Sequence, residues 1–195
     1  MRDQGTRVEE QHTHAVPIDS TDVGLPAEEF KAAFRTHPAG VALITADAGD
    51  GPVAMTATSV ISVSATPPLL AFAASELSSS TPALRRAETL VVHLLSADQL
   101  DLAVLGATSG VDRFADAGAW SRLPTGEPYF QAVRAWIRGR VVEQIEAGGS
   151  TLFVVRALES DAPAAGSVEA DAAAARPLVY HNRTWHELGS RSRLR

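Results

Sequence analysis

The stretch VAMTATSVISVSATPPLLAF, residues 53 to 72, decides how the chain is read. From Met55 to Ser64 the side chains alternate with a period of two, the signature of a half-buried strand. One face carries Met55, Ala57, Ser59, Ile61 and Val63; the other carries Thr56, Thr58, Val60, Ser62 and Ser64. The second face is small, polar and uncharged. A solvent-facing strand more often carries Lys, Glu or Arg there, and a sandwich core would carry Val or Leu. A row of short hydroxyls suits the close approach of something flat that needs hydrogen bonds. A Thr-rich strand beside solvent is the plainer alternative.

Working outward, VALITA (41–46) and the turn DAGDG pair this strand into a hairpin. Upstream, Pro26 opens a helix, AEEFKAAFRTH, with Glu28 and Glu29 in its first turn and Phe30, Ala33 and Phe34 on one stripe. HPAG (37–40) stops it. Downstream, PPLLAFAA (67–74) reads as a buried strand and SELSSSTPALRRAETL as a loop and short helix capped by Ser80 or Thr81. TLVVHLLS (89–96) is an apolar strand, and a helix beginning at Ser96 and Asp98 runs through Leu105. GATSGVDRFADAGAW (106–120) is a long glycine-bearing loop, a length that usually marks function or mobility. AVRAWIRGRVVEQIE (132–146) and STLFVVRALES (150–160) are long strands about Gly148-Gly149, residues 161–175 read as a loop or a weak helix, and PLVYHNRTWHEL (177–188) is a hairpin about Asn182-Arg183. The pattern predicts a mainly β (α+β) fold: a six- to seven-stranded antiparallel barrel, closed or split, with two or three short helices. Residues 1–24 read as a flexible arm, 25–188 as the domain, and 189–195 as a basic tail.

At 195 residues and 45% hydrophobic, the chain can bury one sizeable core. Its formal net charge of −6 gives no overall attraction to nucleic acid. The absence of cysteine leaves no disulfide framework or thiol nucleophile and fits a reducing cytoplasm. The polar start, with Glu9, Glu10 and Asp19, is unlike a signal peptide, and no apolar run approaches the ~20 residues of a membrane helix. The expected setting is cytoplasmic.

Much side-chain chemistry is missing. No GxGxxG, no GxxxxGK[ST] and no HExxH occur, and GATSG places its serine wrongly for a nucleophile elbow. The HTH of residues 12–14 falls in the expected arm, and no metal site is predicted. Carboxylates are scattered without an obvious acid/base pair. A borrowed cofactor explains such a chain more easily than a side-chain nucleophile.

The motifs HPAGVALIT, VAMTATSVISVSATPPLL, SSSTPAL, GVDRFAD and PLVYHNRTWHEL, in this order over roughly residues 28 to 188, resemble the flavin reductase family of FMN-binding split barrels. The resemblance implies a homodimer, FMN or FAD as cofactor or substrate, NADH or NADPH as donor, and delivery of reduced flavin to a partner monooxygenase. It implies that Thr56, Ala57, Thr58 and Ser59 meet the pyrimidine edge and ribityl chain. Ser79, Ser80 and Thr81 match the family's phosphate-binding serine loop; simple N-capping is their plainer role. Arg113 and Phe114 match positions near the flavin, although Arg113 also suits a solvated loop cation paired with Asp112 or Asp116, and Phe114 a core anchor. His181, after Tyr180, falls where relatives place residues near the nicotinamide. His93 reads as a satisfied core histidine and Trp136 as a core or interface residue. Where relatives carry a basic residue before the serine loop, this chain has Glu76-Leu77; that weakens phosphate affinity unless Arg85 or Arg86 swings in. A non-catalytic flavin carrier on the same fold is the alternative function, and a pyridoxamine-phosphate-oxidase-like enzyme is a weaker one.

Overall fold

The computed structural model describes residues 12–15, 24–162, 176–189, 192 and 194. Its elements run β1 (His12–Ala15), α1 (Ala27–Arg35), β2 (Ala39–Gly40), β3 (Ala42–Asp47), β4 (Pro52–Ala57), β5 (Ile61–Ala65) and β6 (Pro68–Ser75). They continue with α2 (Thr81–Arg86), β7 (Thr89–Leu94), a 3₁₀ turn (Ala97–Gln99), α3 (Leu100–Ala107), β8 (Trp120–Arg122) and β9 (Pro128–Phe130). The last are β10 (Trp136–Ala147), β11 (Ser150–Asp161), β12 (Leu178–His181) and β13 (Thr184–Glu187).

The main sheet has the antiparallel order β4-β3-β7-β10-β11-β6-β5. Its two end strands, β4 and β5, are neighbours in sequence, separated by residues 58–60 alone. A trans chain advances at most ~3.6 Å per residue, so the sheet must curl until its ends meet. No ladder joins β4 to β5 among the described residues, and the barrel is split there. The expected single strand is thus corrected to two. Residues 58–60 leave the pleat and the period of two is lost across them, which the alternating pattern hid. Met55 and Ala57 are buried, whereas Ile61 and Val63, expected on the same face, are exposed.

Ser59 closes the split. Its Oγ accepts from the Ala73 amide at 2.9 Å and donates to the Ala73 carbonyl at 3.1 Å. β5 pairs with β6 only as far as Ile61↔Ala71, so this hydroxyl supplies the main-chain partners that a continued strand would have given.

Inside the barrel lies one apolar cluster, including Ile44, Leu84, Leu90, Val92 and Val155 and the stacked rings of Phe72 and Phe153, 4.9 Å apart. A second cluster lies outside it, where Val41, Leu43, Ala103, Phe130 and Leu178 are buried and Phe114, Trp120, Tyr180 and Trp185 lean on them. Trp136 is buried with Val91 and Leu123. His93, fully buried, joins strand and loop: Phe130 N–H donates to Nε2 at 3.1 Å, so the proton is on Nδ1, 3.0 Å from the Leu43 carbonyl. Burial holds its pKa down to about 4 against the Leu43 bond, which favours the charged form.

The hairpins about DAGDG, Gly148-Gly149 and Asn182-Arg183 are present. Asp47 Oδ1 accepts from the amides of Gly49 and Gly51, and both glycines have positive φ. Other expectations change. Within the segment expected as an arm, His12–Ala15 form β1, parallel to Glu143–Glu146 of β10. The strand expected from 132 begins at Trp136, because Ala132–Ala135 turn back, Val133 N–H donating to the Phe130 carbonyl. Strands of two or three residues such as β2, β8 and β9 are too short to leave a period in the sequence. The rest of the arm, residues 163–175 of the loop and most of the basic tail lie outside the described residues, as do the His12 and His14 side chains.

Candidate functional site

Ser79, Ser80, Arg113 and Phe114, drawn from two motifs 34 residues apart, line one cavity of about 120 Å³ with Val53 and Ala54 of β4. Three elements build it: the start of β4, the serine loop ahead of α2, and the loop after α3. Pockets for whole small molecules usually begin near ~300 Å³, so this one suits a fragment such as a phosphate and its linkage.

The serine loop is fixed by its own hydroxyls. Ser80 Oγ, buried, donates to the Ala54 carbonyl at 2.8 Å, and Thr81 Oγ1, buried, donates to the Ser75 carbonyl at 2.7 Å. Each hydroxyl has one proton, so neither can donate to a phosphate in this arrangement. Ser79 is exposed at the cavity, whereas Thr81 does not line it.

Arg113 caps α3. Its Nη2 donates to the Thr108 carbonyl at 2.7 Å and its Nε to the Leu105 carbonyl at 3.3 Å, where the helix dipole favours a cation. These carbonyls orient the guanidinium without cancelling its charge, and Arg113 enters none of the ion pairs among the described residues. Phe114 is anchored in the outer cluster, edge-on to Trp120 at 5.0 Å and stacked on Phe130 at 5.5 Å. Its amide donates to Asp112 Oδ1 at 2.9 Å.

The hydroxyl segment lies beside this cavity rather than in it. Thr56 Oγ1 donates to the Ala103 carbonyl of α3 at 2.6 Å. α3 packs so closely that a Cβ on Gly106 would stand 2.4 Å from both Leu43 Cδ1 and Thr56 Oγ1. Ala57 is in the barrel core, Thr58 is exposed, and Ser59 is bound to Ala73. β4 ends the sheet, so one side of its main chain has no ladder. His181 ends β12, half-buried, with its ring 5.6 Å from that of His186, and does not line the cavity.

The charge expected to trouble the phosphate end is matched. Arg85 Nη2 donates to Glu76 Oε1 at 2.7 Å, while Arg86 turns away to Asp50 at 2.5 Å. Asp112, expected as a partner for Arg113, borders the cavity and instead accepts from the Phe114 amide, and sequence reasoning missed Thr151, which binds both Glu76 and Arg85. A larger cavity, about 320 Å³, is bordered by Asp47, Arg122 and Glu127, but these charges are already paired, Asp47 with Arg122 and Glu127 with Arg138.

The residues present fit a phosphorylated flavin at one end: a cation with no carboxylate partner among the described residues, an exposed hydroxyl and the end strand of the sheet. The chain belongs to the flavin reductase like domain family, whose model matches residues 34–189. It is 42% identical over 185 residues to an NADH:FMN oxidoreductase of Rhodococcus qingshengii, covering 93% of this chain and 94% of that one. It is 29% identical over 157 residues to the reductase component of a 4-nitrophenol 4-monooxygenase/4-nitrocatechol 2-monooxygenase of Rhodococcus opacus, covering 80% and 78%. A solved flavin reductase domain protein from Arthrobacter sp. FB24 superposes with a TM-score of 0.73 at 32% identity, covering 82% of this chain and 94% of that one.

Proposed function

We propose that the protein is an NAD(P)H:flavin oxidoreductase that reduces FMN or FAD and releases the product to a partner monooxygenase. The observation that carries the site is the meeting of Ser79 and Arg113 at one cavity beside β4, the end strand of the sheet. When bound, flavin and reduced nicotinamide supply the hydride chemistry between them. The chain binds and orients. Arg113 and the Ser79 hydroxyl meet the phosphate. The main chain of Thr56, Ala57 and Ser59, with the Thr58 hydroxyl, meets the polar edge of the ring. Phe114, fixed by Trp120 and Phe130, holds the loop that carries Arg113. His181 lies toward the nicotinamide. No side-chain acid or base is required, which accords with the scattered carboxylates of the sequence.

A steady-state assay of the purified protein with NADH or NADPH and FMN is expected to show flavin-dependent oxidation of the nicotinamide. Flavin binding by fluorescence quenching with no such oxidation would replace the enzyme by a carrier. Arg113→Ala is expected to raise the KM for FMN about tenfold, the loss of one charge-assisted contact.

The same reading includes a homodimer in the cytoplasm, where reduced nicotinamide is available. Supporting the dimer, α1 has no buried residue, yet exposes Phe30 and Phe34, their rings 4.7 Å apart. A nine-residue helix is marginal alone in water, and a second copy gives that stripe a partner. Phe34→Asp is expected to yield monomers in sedimentation. Among the described residues no helix is long and apolar enough to cross a membrane.

A further inference from the structure

We propose that Thr151 is a positioning residue for flavin binding, acting through Arg85 and Glu76 on the loop that carries Ser79. This rests on the flavin site proposed above. Thr151 is fully buried on β11, on the same face as Phe153 and Val155, where a valine would pack equally well. A hydroxyl there is costly unless it is bonded. Its bonds form a closed ring. Oγ1 accepts from Arg85 Nε at 2.9 Å and Nη2 at 2.6 Å, and donates to Glu76 Oε1 at 2.8 Å. Arg85 Nη2 completes the ring by donating to the same Glu76 oxygen at 2.7 Å. The one proton and both lone pairs of the hydroxyl are used.

The two groups tied at this atom stand at the two ends of the serine loop. Glu76 follows β6 directly, and Arg85 lies in α2, whose first residue, Thr81, closes the loop. The surrounding bonds extend the clamp: Glu76 N–H donates to the Gly149 carbonyl at 3.0 Å, and Gln144 Nε2 donates to the Arg85 carbonyl at 2.9 Å. Between these ends the loop has little apolar anchorage, since Leu77 is 95% exposed. Its shape therefore depends on polar ties, the Ser80 bond to Ala54 of β4 on one side and the Thr151 ring to β11 on the other. The ring has a second effect: it holds the Arg85 guanidinium on the Glu76 carboxylate at 2.7 Å, nearer than on Glu146 at 3.6 Å, so the cation offsets the charge at the start of the loop.

Thr151→Val removes the hydroxyl and keeps the shape. With the full-length protein, the KM for FMN is expected to rise about tenfold, the loss of one charge-assisted tie, while kcat at saturating FMN stays within twofold. The KM for riboflavin, which has no phosphate, is expected to stay within twofold, and Thr151→Ser is expected to restore the wild-type KM for FMN. Arg85→Met, at a partly exposed site, leaves Glu76 without that cation and gives the same split if Thr151→Val does not fold. An unchanged KM for FMN in the folded variants, or equal rises for FMN and riboflavin, would overturn the proposal. A wild-type protein that oxidises nicotinamide with neither flavin would instead remove the flavin reading itself, and this inference with it.

Discussion

Two segments of this chain are rich in hydroxyls, and they use them differently. At the barrel split, Ser59 takes the place of a missing strand, satisfying both the amide and the carbonyl of Ala73. In the serine loop, Ser80 and Thr81 take the place of apolar anchors, each reaching one carbonyl on a neighbouring strand. The first segment maintains the sheet; the second shapes a cavity. A hydroxyl-rich stretch is therefore not in itself a ligand site. In both segments the buried hydroxyls serve the main chain, and of the exposed ones Ser79, at the cavity, and Thr58, just after β4, remain to meet a ligand.

The largest effect is expected on the split. Gly106→Ala would drive a methyl to 2.4 Å from Thr56 Oγ1 and Leu43 Cδ1, forcing α3 off β4. Thermal or denaturant unfolding should show a loss of about 3 kcal/mol, at the upper end for overpacking. Acid should cost a similar amount by a route neither segment controls. His93 is neutral in the fold, with a pKa of about 4 against the ordinary 6.5. The unfolded chain therefore takes up the proton first. Stability is fully present above about pH 6.5 and declines as the pH falls toward 4, by about 3 kcal/mol. His93→Gln should flatten that decline in denaturant titrations across the same window.

Smaller effects separate the two segments directly. Ser59→Ala leaves two main-chain groups unpaired and is expected to cost about 2 kcal/mol in urea unfolding. Ser80→Ala leaves one carbonyl unpaired and is expected to cost about 1 kcal/mol, with a higher KM for FMN than for riboflavin. Equal losses from the two serines would mean that the two segments use their hydroxyls alike.

The parts of the fold that were legible in the sequence were those set by local chemistry. Asp47 with Gly49 and Gly51, Gly148-Gly149, and Asn182 with its positive φ of 50° each mark a turn within a few residues. His93 and Phe114 were also readable, because an apolar strand and an aromatic in a long loop leave few other roles. The interruption at residues 58–60 was not legible, since alternation continues through it. Nor was the inward turn of Ser80, whose partner Ala54 lies 26 residues earlier. Thr151 drew no notice because a threonine in a β-strand is ordinary, and its partner Glu76 is 75 positions away.

Because β4 and β5 are both terminal strands and only three residues join them, the integrity of the whole barrel passes through Thr58, Ser59 and Val60. A peptide-bond cut there would release two raw sheet margins at once, each a template for another chain. Such a nicked protein should polymerise rather than simply melt, so an uncut linker at this point guards against self-association as much as it shapes the fold.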